Sequence, residues 1–234
     1  MFRVLFGIFK WVFRWLCLAA LLCLTLAVLR TSLSPLRDSD IWERLFSSRL
    51  VWIGIAGWGV RFALTRWRKQ DPFEFLDTLE HELTHALIGY LTFAPPISLT
   101  VTLREGGEVE LPRANPLAAL SPYFLPLFAA LTALLTLVLE PKFLPYGQYA
   151  VAFLLGGFVH RFCREFHLGQ SDFNHYGILF SISFVAAMFP LSITGVLEAA
   201  RLGHLPWHDT IGPRFMEQGR WCGHAILTLS RKFL

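Results

Sequence analysis

Residues 71–96 read DPFEFLDTLEHELTHALIGYLTFAPP, and the fold is decided there. Asp71 is of the type that caps helix N-termini, Pro72 suits a first helical position, and Glu74 puts a carboxylate at the positive end of the helix dipole. Leu76, Leu79, Leu83, Leu87 and Tyr90 then recur at three- and four-residue spacing until Pro95-Pro96, which cannot continue the pattern. A helix is expected from about 72 to about 92. Inside it stand His81, Glu82 and His85, an H-E-x-x-H order. Residues four apart stack on one helix face, so both imidazoles can reach one metal ion while Glu82, about 100° round, reaches a water beside it. A shuffled chain of this composition would carry such a pentapeptide roughly one time in eighty, and here it falls on an independently argued helix.

Working outward, the chain has 234 residues, 21 Lys+Arg against 17 Asp+Glu and a formal charge of +4. That is one domain's length and only a mild basic excess, with no electrostatic footprint for nucleic acid. The informative figures are 54% hydrophobic and 16% charged with mean hydropathy +0.49, because soluble domains carry about 25% charged residues. Disorder, collagen and coiled coil are excluded, and the apolar excess lies in blocks near the roughly 17–25 residues that cross a bilayer. The expected fold is an all-α polytopic membrane protein of four to six transmembrane helices with a small β-hairpin after the H-E-x-x-H helix. Four scattered cysteines without a CxxC pair give no disulfide framework.

The first block, residues 11–29, follows Arg3, Lys10 and Arg14 and lacks a small-residue cleavage signature, so it reads as a retained anchor. Residues 50–64 form a short second block interrupted by Arg61, which either spans with the arginine snorkelling or lies in the interface. Arg61, Arg66, Arg68 and Lys69 read as contacts to anionic headgroups. Residues 97–111 alternate β-branched and polar positions around Glu105-Gly106-Gly107-Glu108, a hairpin pattern. Residues 117–139 carry Pro122 and Pro126 and read as one kinked membrane helix. Residues 149–158 run into the polar stretch His160 to Glu165, and the last block, 176–199, contains Pro190. The tail is amphipathic, and His204, His208 and His224 beside Trp207 and Trp221 read as interfacial. The division is therefore an N-terminal membrane anchor region over 1–70, a membrane-embedded core over 71–199 and an amphipathic tail over 200–234.

Two neutral imidazoles leave Zn²⁺ short of one protein ligand and an open position. The long soluble zincin pattern would need Gly at 88 and His at 91, where Ile88 and Leu91 stand. Asp172, at the mouth of the last block, is the leading third ligand, although a carboxylate there can also be a plain helix cap. Glu165, His160, His167 and His175 compete with it.

These residues resemble the membrane-embedded zinc metalloproteases of the site-2 protease class, peptidase family M50 and its shorter bacterial relatives. The resemblance covers about residues 75–195. It rests on the H-E-x-x-H, the Gly106-Gly107 hairpin, the run Ser121-Pro122-Tyr123 to Pro126, and Gly169-Gln170-Ser171-Asp172. It implies zinc held by His81, His85 and Asp172, with Glu82 as the catalytic base. It further implies hydrolysis of peptide bonds in or near transmembrane segments of membrane protein or peptide substrates, in the lipid bilayer of a bacterial inner membrane. The chain departs from the family at Thr84, where a small residue is common, and at Ser171-Asp172-Phe173, where fuller members have Leu-Asp-Gly. It has no room for a PDZ module. A second reading is a non-proteolytic membrane scaffold or assembly protein that keeps the fold, and a third is a transporter, whose ion path intramembrane charges would line. The hairpin at 97–111 is expected to offer a strand edge to an extended substrate.

Overall fold

The computed structural model describes residues 47–67, 72–102, 106–112, 115–167 and 171–202. The first apolar block, Arg68, Lys69, Asp71 and the tail histidines lie outside the described residues. Within them the protein is mostly helical, with a single two-stranded antiparallel hairpin. Helix α1 spans Arg49–Trp67 and α2 Glu74–Leu91. The hairpin strands are β1, Ser98–Val101, and β2, Gly107–Glu110. After them come α3, Pro116–Leu120, a 3₁₀ turn at Ser121–Tyr123, and α4, Leu127–Thr136. Helices α5, Leu144–Glu165, α6, Ser171–Tyr176, and α7, Ile178–Leu202, are the last of the described elements.

Helix α2 opens two residues later than the sequence signals imply. Pro72 and Phe73 form a turn ahead of it, and the Phe73 carbonyl accepts from the Asp77 N–H at 2.8 Å. The Arg61 guanidinium lies over the Phe73 ring, 4.3 Å from its centroid, which fixes that turn against α1. At the other end Phe93 adopts φ 58° and Ala94 N–H returns to the Gly89 carbonyl at 2.9 Å, closing the helix before Pro95.

Residues 117–139 are not one kinked helix. The chain breaks at Tyr123–Pro126, and the segments Pro116–Tyr123 and Leu127–Thr136 meet at 85°. Pro126 has no N–H and pushes Leu125 out of helical conformation, so the backbone cannot run through. Two N–H groups, of Phe124 and Leu125, turn back on the Ser121 carbonyl at 3.1 and 2.8 Å. The N–H of Phe128, orphaned at the start of α4, donates to Glu80 Oε1 at 2.9 Å. One carboxylate of α2 thus holds the restarted helix.

Helices α1 and α5 lie close along one another because Gly54, Gly57 and Gly156 have no Cβ. A methyl group on Gly156 would run into the Gly54 carbonyl, and one on Gly57 into the Phe153 carbonyl. One apolar core joins Ala129, Ala133, Val151, Leu155, Val196 and Ala199, uniting α4, α5 and α7. A second, aromatic core forms around Leu120, Tyr123, Phe124, Phe173 and Val185. It glues the broken segment to α6 and α7, beside α2.

The last apolar block begins as a separate helix: Gly177, at φ 89°, divides α6 from α7, and α7 then runs on through Pro190. Among the described residues Ile178–Ala200 is long and apolar enough to cross a membrane, and the bent pair α3–α4 makes a second if it counts as one span. Polar and charged positions keep α1, α2 and α5 below that criterion, so the described residues supply one or two spans by composition, and the first apolar block, which the expected four to six includes, lies outside them.

Candidate metal centre

His81 and His85 project from one face of α2, ring centroids 4.9 Å apart and at 72° to one another. Asp172 arrives from α6, 87 positions after His85. One ligand atom from each of His81, His85 and Asp172 lies within 4.8 Å of the others, so these three could hold a metal ion. Sequence spacing alone leaves the third place open among five residues, and among the described side chains the fold brings Asp172 within reach of both histidines.

The donor chemistry fits a cation. His85 Nδ1 lies 2.8 Å from the carbonyl oxygen of Ala118. A carbonyl only accepts, so the proton belongs on Nδ1, and in the neutral ring Nε2 carries its lone pair toward Asp172 Oδ2, 4.0 Å away. That is the tautomer a metal-binding histidine needs, held by a backbone group. Ala118 is fully buried on α3, whose start is fixed by Asn115: its Oδ1 accepts from Leu117 N–H at 3.0 Å and its Nδ2 donates to Thr92 Oγ1 at 2.5 Å. Asp172 accepts from the Tyr123 hydroxyl at 2.8 Å. Its neighbour Phe173, fully buried against Tyr123 at 4.8 Å, anchors α6.

A cavity of about 510 Å³ opens onto these ligands, lined also by Glu82, Tyr123 and the β2 residues Gly107, Glu108 and Val109. Glu82 is 8% exposed and shares this space with the three ligand side chains. Gly107 matters for a reason separate from the turn. A Cβ there would come 2.5 Å from Glu82 Cγ and 2.9 Å from Thr78 Cγ2, so the strand approaches the acid only because the residue is glycine.

The back of α2 carries a second set of buried charges. Asp77 pairs with Arg61, and Arg164 reaches the same carboxylate at 3.6 Å. Arg161, 2% exposed, donates to the Asp77 carbonyl at 2.9 Å and lies 3.2 Å from Glu80 Oε2. The expectation that Arg61 meets lipid headgroups is therefore corrected, because its guanidinium is drawn inward by Asp77 across the α1–α2 contact. Thr84, where the resembling family has a small residue, is accommodated with no exposure, its hydroxyl donating back to the Glu80 carbonyl at 2.5 Å.

Three of the four rival candidates, His160, Glu165 and His167, are described, and they point elsewhere. His160 faces α1, its Nε2 3.4 Å from Thr65 Oγ1 and its ring edge-on to Trp58 and Phe62. Glu165 pairs with Arg164 at 3.2 Å, and His167 is exposed. The side chain of His175 lies outside the described residues. The sequence assigns no role to Ala118 or Asn115, and it offers Tyr123 only as part of the Ser121-Pro122-Tyr123 run. A backbone carbonyl leaves no mark in a sequence, whereas the Asn-Pro pair at 115–116 was a visible helix start. Compared with protein-family models, curated proteins and solved structures, the chain matches none.

Proposed function

We propose that this protein is an integral membrane zinc metallopeptidase, similar to the site-2 protease class, which hydrolyses peptide bonds in or near transmembrane segments. The observation that carries the reading is the convergence of His81, His85 and Asp172 within 4.8 Å beside Glu82 in one cavity. Two neutral imidazoles and one carboxylate are the borderline donor set that suits Zn²⁺ and leaves a position open. When bound there, zinc supplies a Lewis acid that activates water and polarises a peptide carbonyl. Glu82 takes the proton from the attacking water and returns it to the departing amine. The β2 strand forms one wall and offers an extended surface beside Glu82, where an unwound substrate segment can lie.

The membrane setting draws support from α7, since only 22% of its apolar stretch is buried against the rest of the chain. A soluble core helix would be covered. Exposed Trp52, Trp58 and Trp67 on α1, 52%, 38% and 83% accessible, suit an interfacial or lipid-facing surface. The resemblance makes a bacterial inner membrane the expected location.

The test is Glu82→Gln in purified protein, with cleavage of a transmembrane reporter peptide and zinc content measured together. The enzyme reading expects zinc retained and cleavage lost by at least 10²-fold. A variant as active as the wild type in its cellular role would select the scaffold reading instead.

A further inference from the structure

We propose that Tyr123 is the positioning residue for the third ligand, so that the metal affinity of the centre depends on a phenol hydroxyl that does not itself hold the metal. The inference rests on the metal reading above and deepens it. Asp172 sits on a helix of six residues with its side chain 27% exposed, a poor platform for a ligand that must hold one orientation. Among the described residues, the hydrogen bond that orients this carboxylate is the one from Tyr123, at 2.8 Å to Oδ2.

Tyr123, by contrast, is held from several sides. It is 4% exposed, its ring packs 4.8 Å from Phe173, and it stands edge-on to His81 at 5.5 Å and 87°. Its backbone lies in the 3₁₀ turn Ser121–Tyr123, which contains Pro122, precedes Pro126 and is closed by the Ser121 carbonyl. A phenol buried this deeply must find an acceptor, and Asp172 is the one it finds. The 85° break is what aims it: the chain stops being helical where the ring has to reach between His81 and α6. The hydroxyl fixes the rotation of the carboxylate, and the ring edge restrains the first imidazole. One side chain therefore couples the ligand from α2 to the ligand from α6. Removing an outer hydrogen-bond partner of a metal ligand costs about 10–100-fold in affinity.

The experiment measures zinc affinity by chelator competition on the full chain in detergent for wild type, Tyr123→Phe, Asp172→Ala and the double variant. Phe keeps every ring contact, so the metal-free Tyr123→Phe protein should melt within a few degrees of wild type. The expected result is affinity about 10–100-fold weaker for Tyr123→Phe, with no further loss when the change is made in Asp172→Ala. Cobalt-loaded Tyr123→Phe should also show a shifted ligand-field spectrum. Phe173→Leu, which loosens the ring's seat but keeps the hydroxyl, should weaken zinc by less. Affinity equal to wild type in Tyr123→Phe, or the same loss with Asp172 already removed, overturns the inference. So does a Tyr123→Phe chain that no longer folds, because the hydroxyl would then belong to stability. Absence of zinc from the wild type would instead retire the metal reading itself.

Discussion

His85 Nδ1 and the Ala118 carbonyl oxygen lie 2.8 Å apart, although 33 positions separate the two residues in the chain. This bond joins the motif helix to the broken segment after the hairpin and decides which imidazole nitrogen turns its lone pair toward Asp172. The centre is thus set by backbone as well as by ligands.

Asn115 holds the helix that presents Ala118, so Asn115→Ala tests this link at a distance from the ligands. Losing the cap should cost about 1 kcal/mol of stability, and the loosened carbonyl should weaken zinc by about tenfold. Thermal melting and chelator competition on the same samples check both numbers.

Gly106 and Gly107 should respond differently to the same change. Gly106 has φ 88° and open space around its missing Cβ, so Gly106→Ala should cost about 1–2 kcal/mol of backbone strain and leave activity largely intact. Gly107→Ala drives a methyl group into Glu82 and should lower cleavage by roughly 10²-fold while zinc stays bound. Equal effects on cleavage would argue that β2 does not set the position of Glu82.

Arg161 is buried between Glu80 and the Asp77 carbonyl. Arg161→Ala leaves the Glu80 carboxylate buried and undercompensated, a change expected to cost about 3–5 kcal/mol. Melting in detergent measures it, and a loss below about 1 kcal/mol would mean that water reaches the pair.

Val101 pairs with Gly107 in the hairpin register. Val101→Pro removes an N–H and disturbs β1, so reporter cleavage should fall by at least tenfold with zinc content unchanged. Undiminished cleavage would dismiss a strand edge as the substrate's docking surface.

What the sequence made legible followed from short-range periodicity. Leucines at three- and four-residue spacing placed α2, and the glycine turn between alternating residues placed the hairpin, because both patterns are fixed by neighbours a few positions apart. The motif face of α2 was readable for the same reason. The third candidate ligand was not, since which of Asp172, Glu165, His160, His167 and His175 comes near the two histidines depends on where tertiary packing carries it. Pro122 and Pro126 announce a disruption without its angle, so the sequence predicts a kink where the chain breaks at Tyr123–Pro126. The inward turn of Arg61 was hidden too, because an arginine near a membrane surface and one paired to a buried aspartate look alike in one dimension.

The most direct measurement is zinc per chain in detergent-purified, metal-replete wild type beside Asp172→Ala. The account predicts one zinc per wild-type chain and a sharp loss in the variant. A wild type without zinc, or a variant that binds it as tightly as the wild type, would contradict the three-ligand centre.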